Sequence, residues 1–106
     1  MTIERPPHEV YAFVRNPKNL DKWASGLDGA VKVRFVDTNP YGVLDHYVSV
    51  DSGPEVYMPM RVFPNGEGSE VLITVFRQSG VSEDRFVEDT QWVRRDLEML
   101  KEVLEK

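Results

Sequence analysis

The sequence predicts an α+β domain in which a set of antiparallel strands lies between two short helices and one long one. Three observations carry this reading. Residues 6–24 hold apolar side chains at helical spacing, interrupted by Asn16-Pro17; residues from Val31 to Arg77 adopt a two-residue period; from Ser82 the helical period returns and is sustained. A chain of 106 residues has room for one domain, residues 1–106, and one core.

The elements follow in order. Pro6-Pro7 opens the first helix, because proline suits a first turn whose N–H groups have no partner, and Val10, Phe13 and Val14 form its apolar stripe. Asn16-Pro17 stops it, and Asn16 is placed to cap a short second helix carrying Leu20, Trp23 and Ala24, which Gly26 and Asp28-Gly29 close. Val31, Val33 and Phe35 alternate with Lys32 and Arg34 in a first strand, and three more are expected over Gly42 to Val50, Val56 to Phe63 and Glu70 to Arg77, joined by turn-rich loops. A five-residue loop from Asp51 to Glu55 sets Val50 against Val56, Val48 against Met58 and His46 against Met60.

The last helix has the clearest signature. Ser82 is a suitable N-cap, Glu83 and Asp84 suit the positive end of the helix dipole, and Phe86, Thr90, Val93, Leu97, Leu100 and Leu104 recur at steps of four and three. Trp92, Met99 and Val103 add a second stripe, so a wide buried face lying across a sheet is expected, with Arg94, Arg95, Asp96 and Glu98 on the wet side.

Composition removes several functions. The absence of cysteine excludes disulfides, thiolate metal sites and a cysteine nucleophile, and His8 and His46 are the only imidazoles, so no metal or other cofactor is expected. Thirteen basic against eighteen acidic residues leave a net charge of −5, which opposes nucleic acid or an anionic membrane as a partner. Short apolar runs argue against membrane insertion, and the opening Met1-Thr2-Ile3-Glu4-Arg5 lacks a secretory pattern, so a cytoplasmic location is expected. Gly-x-Ser-x-Gly is absent, and Gly66-Glu67-Gly68 has no helix after it to make a phosphate cradle.

The stretch Gly-Val-Leu-Asp-His-Tyr-Val-Ser-Val, residues 42–50, raises the question of catalysis, because a carboxylate beside a histidine is how many enzymes orient a general base. Its period answers it. Leu44, His46, Val48 and Val50 share one face, Asp45 and Tyr47 the other, so Asp45 cannot orient the ring of His46. Arg61 is the expected solvent-side partner of Asp45.

The opening Ile-Glu-Arg-Pro-Pro-His-Glu-Val-Tyr-Ala-Phe-Val-Arg-Asn-Pro-Lys-Asn-Leu-Asp-Lys-Trp, residues 3–23, resembles that of the helix-grip superfamily, which includes START lipid-transfer domains, Bet v 1 plant allergens and bacterial polyketide cyclase/dehydrase-like proteins. The Val-Phe-Pro-Asn-Gly word at 62–66, the Thr-Val-Phe-Arg strand at 74–77 and the Asp-Leu-x-x-Leu-Lys helix at 96–101 are similar to a small bacterial subgroup of SRPBCC proteins. The resemblance implies a curved antiparallel sheet wrapped around a long C-terminal helix, with a ligand cavity between them. Between Trp23 and Val31 this chain is shorter than that pattern by roughly a hairpin, so its early strands are shortened. The strand from Val31 to Asp37 then becomes an edge, which points to a homodimer, unless residues 2–5 or 24–30 cover it.

What the resemblance implies for function is a module that binds an apolar or aromatic metabolite or a lipid, and the shortage of polar groups aimed into the cavity beyond His46 weighs against catalysis. A polyketide cyclase, aromatase or dehydratase, or a protein-interaction domain with a vestigial cavity, are the alternatives. The cavity candidates are Trp23, Phe35, His46, Val48, Met58, Met60 and Thr74. Each has a plainer reading. His46 can be a structural histidine bonded to backbone, the methionines core filler, and Trp23 the anchor of its helix rather than the lid of a cavity. Thr74 is the second polar group that the enzymatic alternative requires.

Overall fold

In the computed structural model, which describes residues 1–24, 31–50 and 53–106, the Pro6-Pro7 pair starts a helix as expected. Gly26, Asp28 and Gly29, read as the stop after the second helix, and Asp51 and Ser52 of the hairpin loop lie outside the described residues, as does most of the 24–30 segment. A two-residue strand, β1 (Thr2–Ile3), precedes α1 (Pro7–Arg15), whose Val10 and Val14 are fully buried. Asn16 then caps a single 3-10 turn (Pro17–Asn19), its side-chain oxygen accepting the Lys18 N–H at 3.0 Å, and the turn runs into α2 (Leu20–Trp23).

The strands form two three-stranded antiparallel sheets. One has the order β2 (Val31–Phe35), β3 (His46–Val50), β4 (Val56–Met58); the other has β1, β6 (Gly68–Ile73), β5 (Met60–Asn65). The expected strand from Val56 to Phe63 is therefore cut at Pro59 into β4 and β5, which belong to different sheets. The other two expected strands are shorter at one end, the second reduced to β3 and an isolated Val43–Arg61 bridge, the fourth ending at Ile73.

The register of β3 on β4 also differs from expectation by two residues: His46 faces Met58, Tyr47 faces Tyr57 and Val48 faces Val56. Proline explains both departures. With His46 opposite Met60, Pro59 would stand inside the ladder opposite Tyr47, where it has no N–H to donate. The observed pairing leaves Pro59 beyond the ladder, and the sheet bends there. The two sheets stay joined at the bend, where Leu44 N–H donates to the Met60 carbonyl at 2.8 Å and Thr74 N–H to the Pro59 carbonyl at 2.9 Å. Gly42, at φ +73°, runs so close to the Val62 carbonyl that a Cβ would sit 2.1 Å from its oxygen, so only glycine fits this crossing.

Ser82 caps α3 (Glu83–Leu104), its hydroxyl accepting the Arg85 N–H at 3.2 Å. The core gathers Ile3, Val10, Val14, Leu44, Met60, Val62, Val71 and Leu100, with Leu97 and Leu104 packed against it. The second stripe of α3 is not buried as expected: Trp92 is 41% exposed and Met99 39%. Among the described residues no helix is long and apolar enough to cross a membrane.

Candidate functional site

The posture of α3 makes the site. Its C-terminal half is fixed to the start of the chain: Leu100 is fully buried, Lys101 Nζ donates to the Thr2 carbonyl at 2.7 Å, and the Glu105 carboxylate accepts the Glu4 N–H at 2.7 Å. Its N-terminal half stands across the inner face of β2–β4. Between them lies a cavity of about 640 Å³.

Each wall has a local cause. Val33 and Phe35 of β2, His46 and Val48 of β3, and Val56 and Met58 of β4 line it because the two-residue period points them to the same face. Leu20 and Trp23 of α2, with Ala24 just after it, close one side. Arg85, Asp89, Trp92 and Asp96 line it from α3, where steps of four, three and four put them on one stripe. Arg85 and Asp89 are paired at 3.1 Å, and the Arg95 guanidinium lies 5.0 Å from the Trp92 ring centre.

Of the residues expected to line a cavity, Trp23, Phe35, His46, Val48 and Met58 do so. Met60 does not. It keeps the parity of Met58, but the bend at Pro59 carries it into the dry core, where it is fully buried. Thr74 is exposed and faces away, since Ile73 and Val75 on either side of it take the inward positions. The α3 stripe was missed because Asp96 reads as part of a solvated face; the helical spacing of Arg85, Asp89, Trp92 and Asp96 is the signal that could have found it.

Two polar groups lie deep in these walls. His46 is only 6% exposed, and its Nδ1 is 3.0 Å from the Leu44 carbonyl oxygen. A carbonyl can only accept, so Nδ1 carries the proton and Nε2 keeps its lone pair. Burial pushes the pKa of His46 below the usual histidine value, with the Leu44 carbonyl working weakly the other way, so the ring is neutral at pH 7. Phe35 packs on it at 5.1 Å between ring centres. The second group is Trp23, 4% exposed, whose indole Nε1–H has no acceptor among the described residues.

The Asp-His neighbours do not form a dyad. His46 bonds backbone, while the Asp45 carboxylate accepts from the Tyr57 hydroxyl at 2.6 Å, from Met60 N–H at 2.9 Å and from Arg61. Arg61 is thus the partner of Asp45, as expected, but Asp45 is 6% exposed rather than on the solvent side. It sits at the bend, holding β4 and β5 together. Among the described residues no group of three or more histidine, aspartate or glutamate side chains is placed to hold a metal ion. A smaller cavity of about 370 Å³ lies between α1 and the 39–42 loop, lined by Pro7, His8, Tyr11, Tyr41 and Phe63. No family model matches the chain, and no curated protein matches it.

Proposed function

We propose that this protein is a small-molecule-binding module of the helix-grip kind, START-like and Bet v 1-like, which holds an apolar or aromatic metabolite or lipid between its sheet and α3. The observation that carries this is the cavity of about 640 Å³, walled mainly by aliphatic and aromatic side chains, with the polar groups of His46, Gln78, Arg85, Asp89 and Asp96 among them, within the range that encloses small organic ligands. The strand order supports the fold reading. Taken as one strand bent at Pro59, β4 and β5 turn the two sheets into a single meander, β2-β3-β4/β5-β6-β1, with the long helix against its inner side.

The test is a thermal-shift screen of flavonoids, aromatic polyketides and fatty acids. An apolar binder is expected to raise the melting temperature, because ligand bound only by the native state stabilises it by mass action. Val48→Trp, which fills the cavity from the middle of β3, is expected to abolish that shift while leaving the protein folded. A screen with no shift from any of these classes counts against the reading.

The homodimer reading draws on β2, which has β3 on one side and no described strand on the other. A sedimentation mass above 12.2 kDa at micromolar concentration supports it, and a clean monomer removes it.

A further inference from the structure

Taken as a ligand site, the cavity has walls that decide which chemistry its ligand presents. His46 is only 6% exposed and stands on β3 between its cross-strand partners, Phe35 of β2 and Met58 of β4. The Leu44 carbonyl accepts the Nδ1 proton, which fixes the tautomer and leaves the other ring nitrogen, Nε2, with its lone pair. Nε2 has no hydrogen-bond partner among the described residues, yet it is not sealed off. Trp23 Nε1 is the one unpartnered side-chain nitrogen or oxygen among these covered residues that is closed to solvent, so Nε2 of His46 keeps accessible surface. That surface opens on the cavity that His46 lines.

A lone pair set in an apolar wall selects by what it can accept. A ketone, ester or ether oxygen placed against Nε2 brings two acceptors together with no proton between them. A carboxylate opposes the lone pair unless the ring is first protonated, and burial resists that protonation. An ammonium would have to leave water as a buried charge. A hydroxyl meets Nε2 with a hydrogen bond and carries no charge. Among hydroxyls a phenol suits this wall best, because its more acidic proton makes the stronger bond and its ring can pack on Phe35, Phe76 and Trp92, which line the same cavity.

With the cavity read as a ligand site, on which reading this rests, we propose that it is selective for uncharged phenols, the hydroxyl donating to His46 Nε2 and the aromatic body lying against Val33, Phe35, Val48 and Met58. The same wall discriminates against the O-methylated form of such a ligand, since methylation removes the donor and leaves the ring.

2-Naphthol and its methyl ether, 2-methoxynaphthalene, provide the test, because they share the ring and the oxygen and differ in the donor. Titration calorimetry at neutral pH, where both are uncharged, gives the two affinities, and both probes are expected to bind the wild-type protein. His46→Leu removes the acceptor and keeps an apolar side chain in its place. It is expected to weaken 2-naphthol at least about fivefold relative to the ether, the equivalent of one hydrogen bond. Equal weakening of both probes, or none, overturns the assignment to His46 while the binding reading stands; failure of both probes to bind the wild type overturns both. Should His46→Leu not fold, nitrogen NMR of the wild-type imidazoles decides. The Nε2 resonance of His46 is expected at lower frequency with 2-naphthol bound than with the ether bound, and equal positions overturn the assignment.

Discussion

Asp45 offers the sharpest check on how the two sheets are joined. Its carboxylate accepts from Met60 N–H at 2.9 Å, from the Tyr57 hydroxyl at 2.6 Å and from Arg61, so one side chain links the end of β4 to the start of β5 across Pro59. The three bonds are not equal. Tyr57 is 38% exposed and the Arg61 side chain 43%, so both can turn to water once Asp45 is gone, and each bond is worth about 1 kcal/mol or less. Met60 is fully buried, and its N–H has nowhere else to turn, which leaves an unpaired donor costing about 1–3 kcal/mol. Asp45→Ala is therefore expected to destabilise by about 2–4 kcal/mol, a large part of the 5–15 kcal/mol that holds a typical domain together. Asp45→Asn keeps a side-chain oxygen for Met60 and should cost about 1 kcal/mol. Urea denaturation followed by circular dichroism reads both. A loss under about 1 kcal/mol for the alanine variant, or equal losses for the two, would refute the view that the buried Met60 bond dominates.

The remaining predictions concern the cavity histidine and the long helix. Burial depresses the pKa of His46 in the folded chain, so above about pH 6.5 neither state binds the proton, while below it the unfolded chain does and the folded chain resists. Stability should fall as the pH drops below about 6.5, with a slope of up to about 1.4 kcal/mol per pH unit, and His46→Gln should flatten that fall. Glu55, Glu70 and Glu105, held below the usual glutamate value by hydrogen bonds from Arg34, Thr2 and Lys101, withdraw their contribution only at lower pH, which keeps the onset of that fall clear. A profile unchanged by His46→Gln would mean the ring is hydrated in the folded state. Leu100→Ala should cost about 2–5 kcal/mol and Leu97→Ala distinctly less, because Leu100 is wholly buried and Leu97 only partly, and thermal melts ranking them the other way would contradict this posture of α3.

How much of this was legible depended on whether the signal was local. The helix from Glu83 to Leu104 was readable because its cap, its charged first turn and its stripe all lie within the segment itself. The proline start of α1 and the Asn16 cap were readable for the same reason. The register of β3 was not, because period alone allows any even shift, and the deciding residue, Pro59, lies in the partner strand and acts only once the two are paired. Met60 and Thr74 were misplaced by what followed from that. The parity of Met60 was right, but no pattern along the chain states where a sheet bends, and Thr74 lies past the end of β6, with Ile73 and Val75 taking the inward positions.

The same contrast explains why the cavity lies where it does. Ile3, Leu44, Met60, Val71 and Leu100 are fully buried around the C-terminal half of α3, whereas Val33, Phe35, Val48, Val56 and Met58 face its N-terminal half and remain only partly covered. On the helix the difference is one of chemistry. Leu97, Leu100 and Leu104 can close onto a sheet without leaving a polar group dry, while Arg85, Asp89 and Asp96 on the cavity stripe could not be pressed against valines without losing water. The helix therefore docks at one end and stands off at the other, and the aliphatic wall of β2–β4 is left with apolar surface that folding alone does not bury. Each Å² of that surface removed from water contributes about 25 cal/mol whether a side chain or a ligand covers it. Binding draws on the stability the fold leaves unclaimed, so substitutions that fill the cavity should raise stability as they weaken binding.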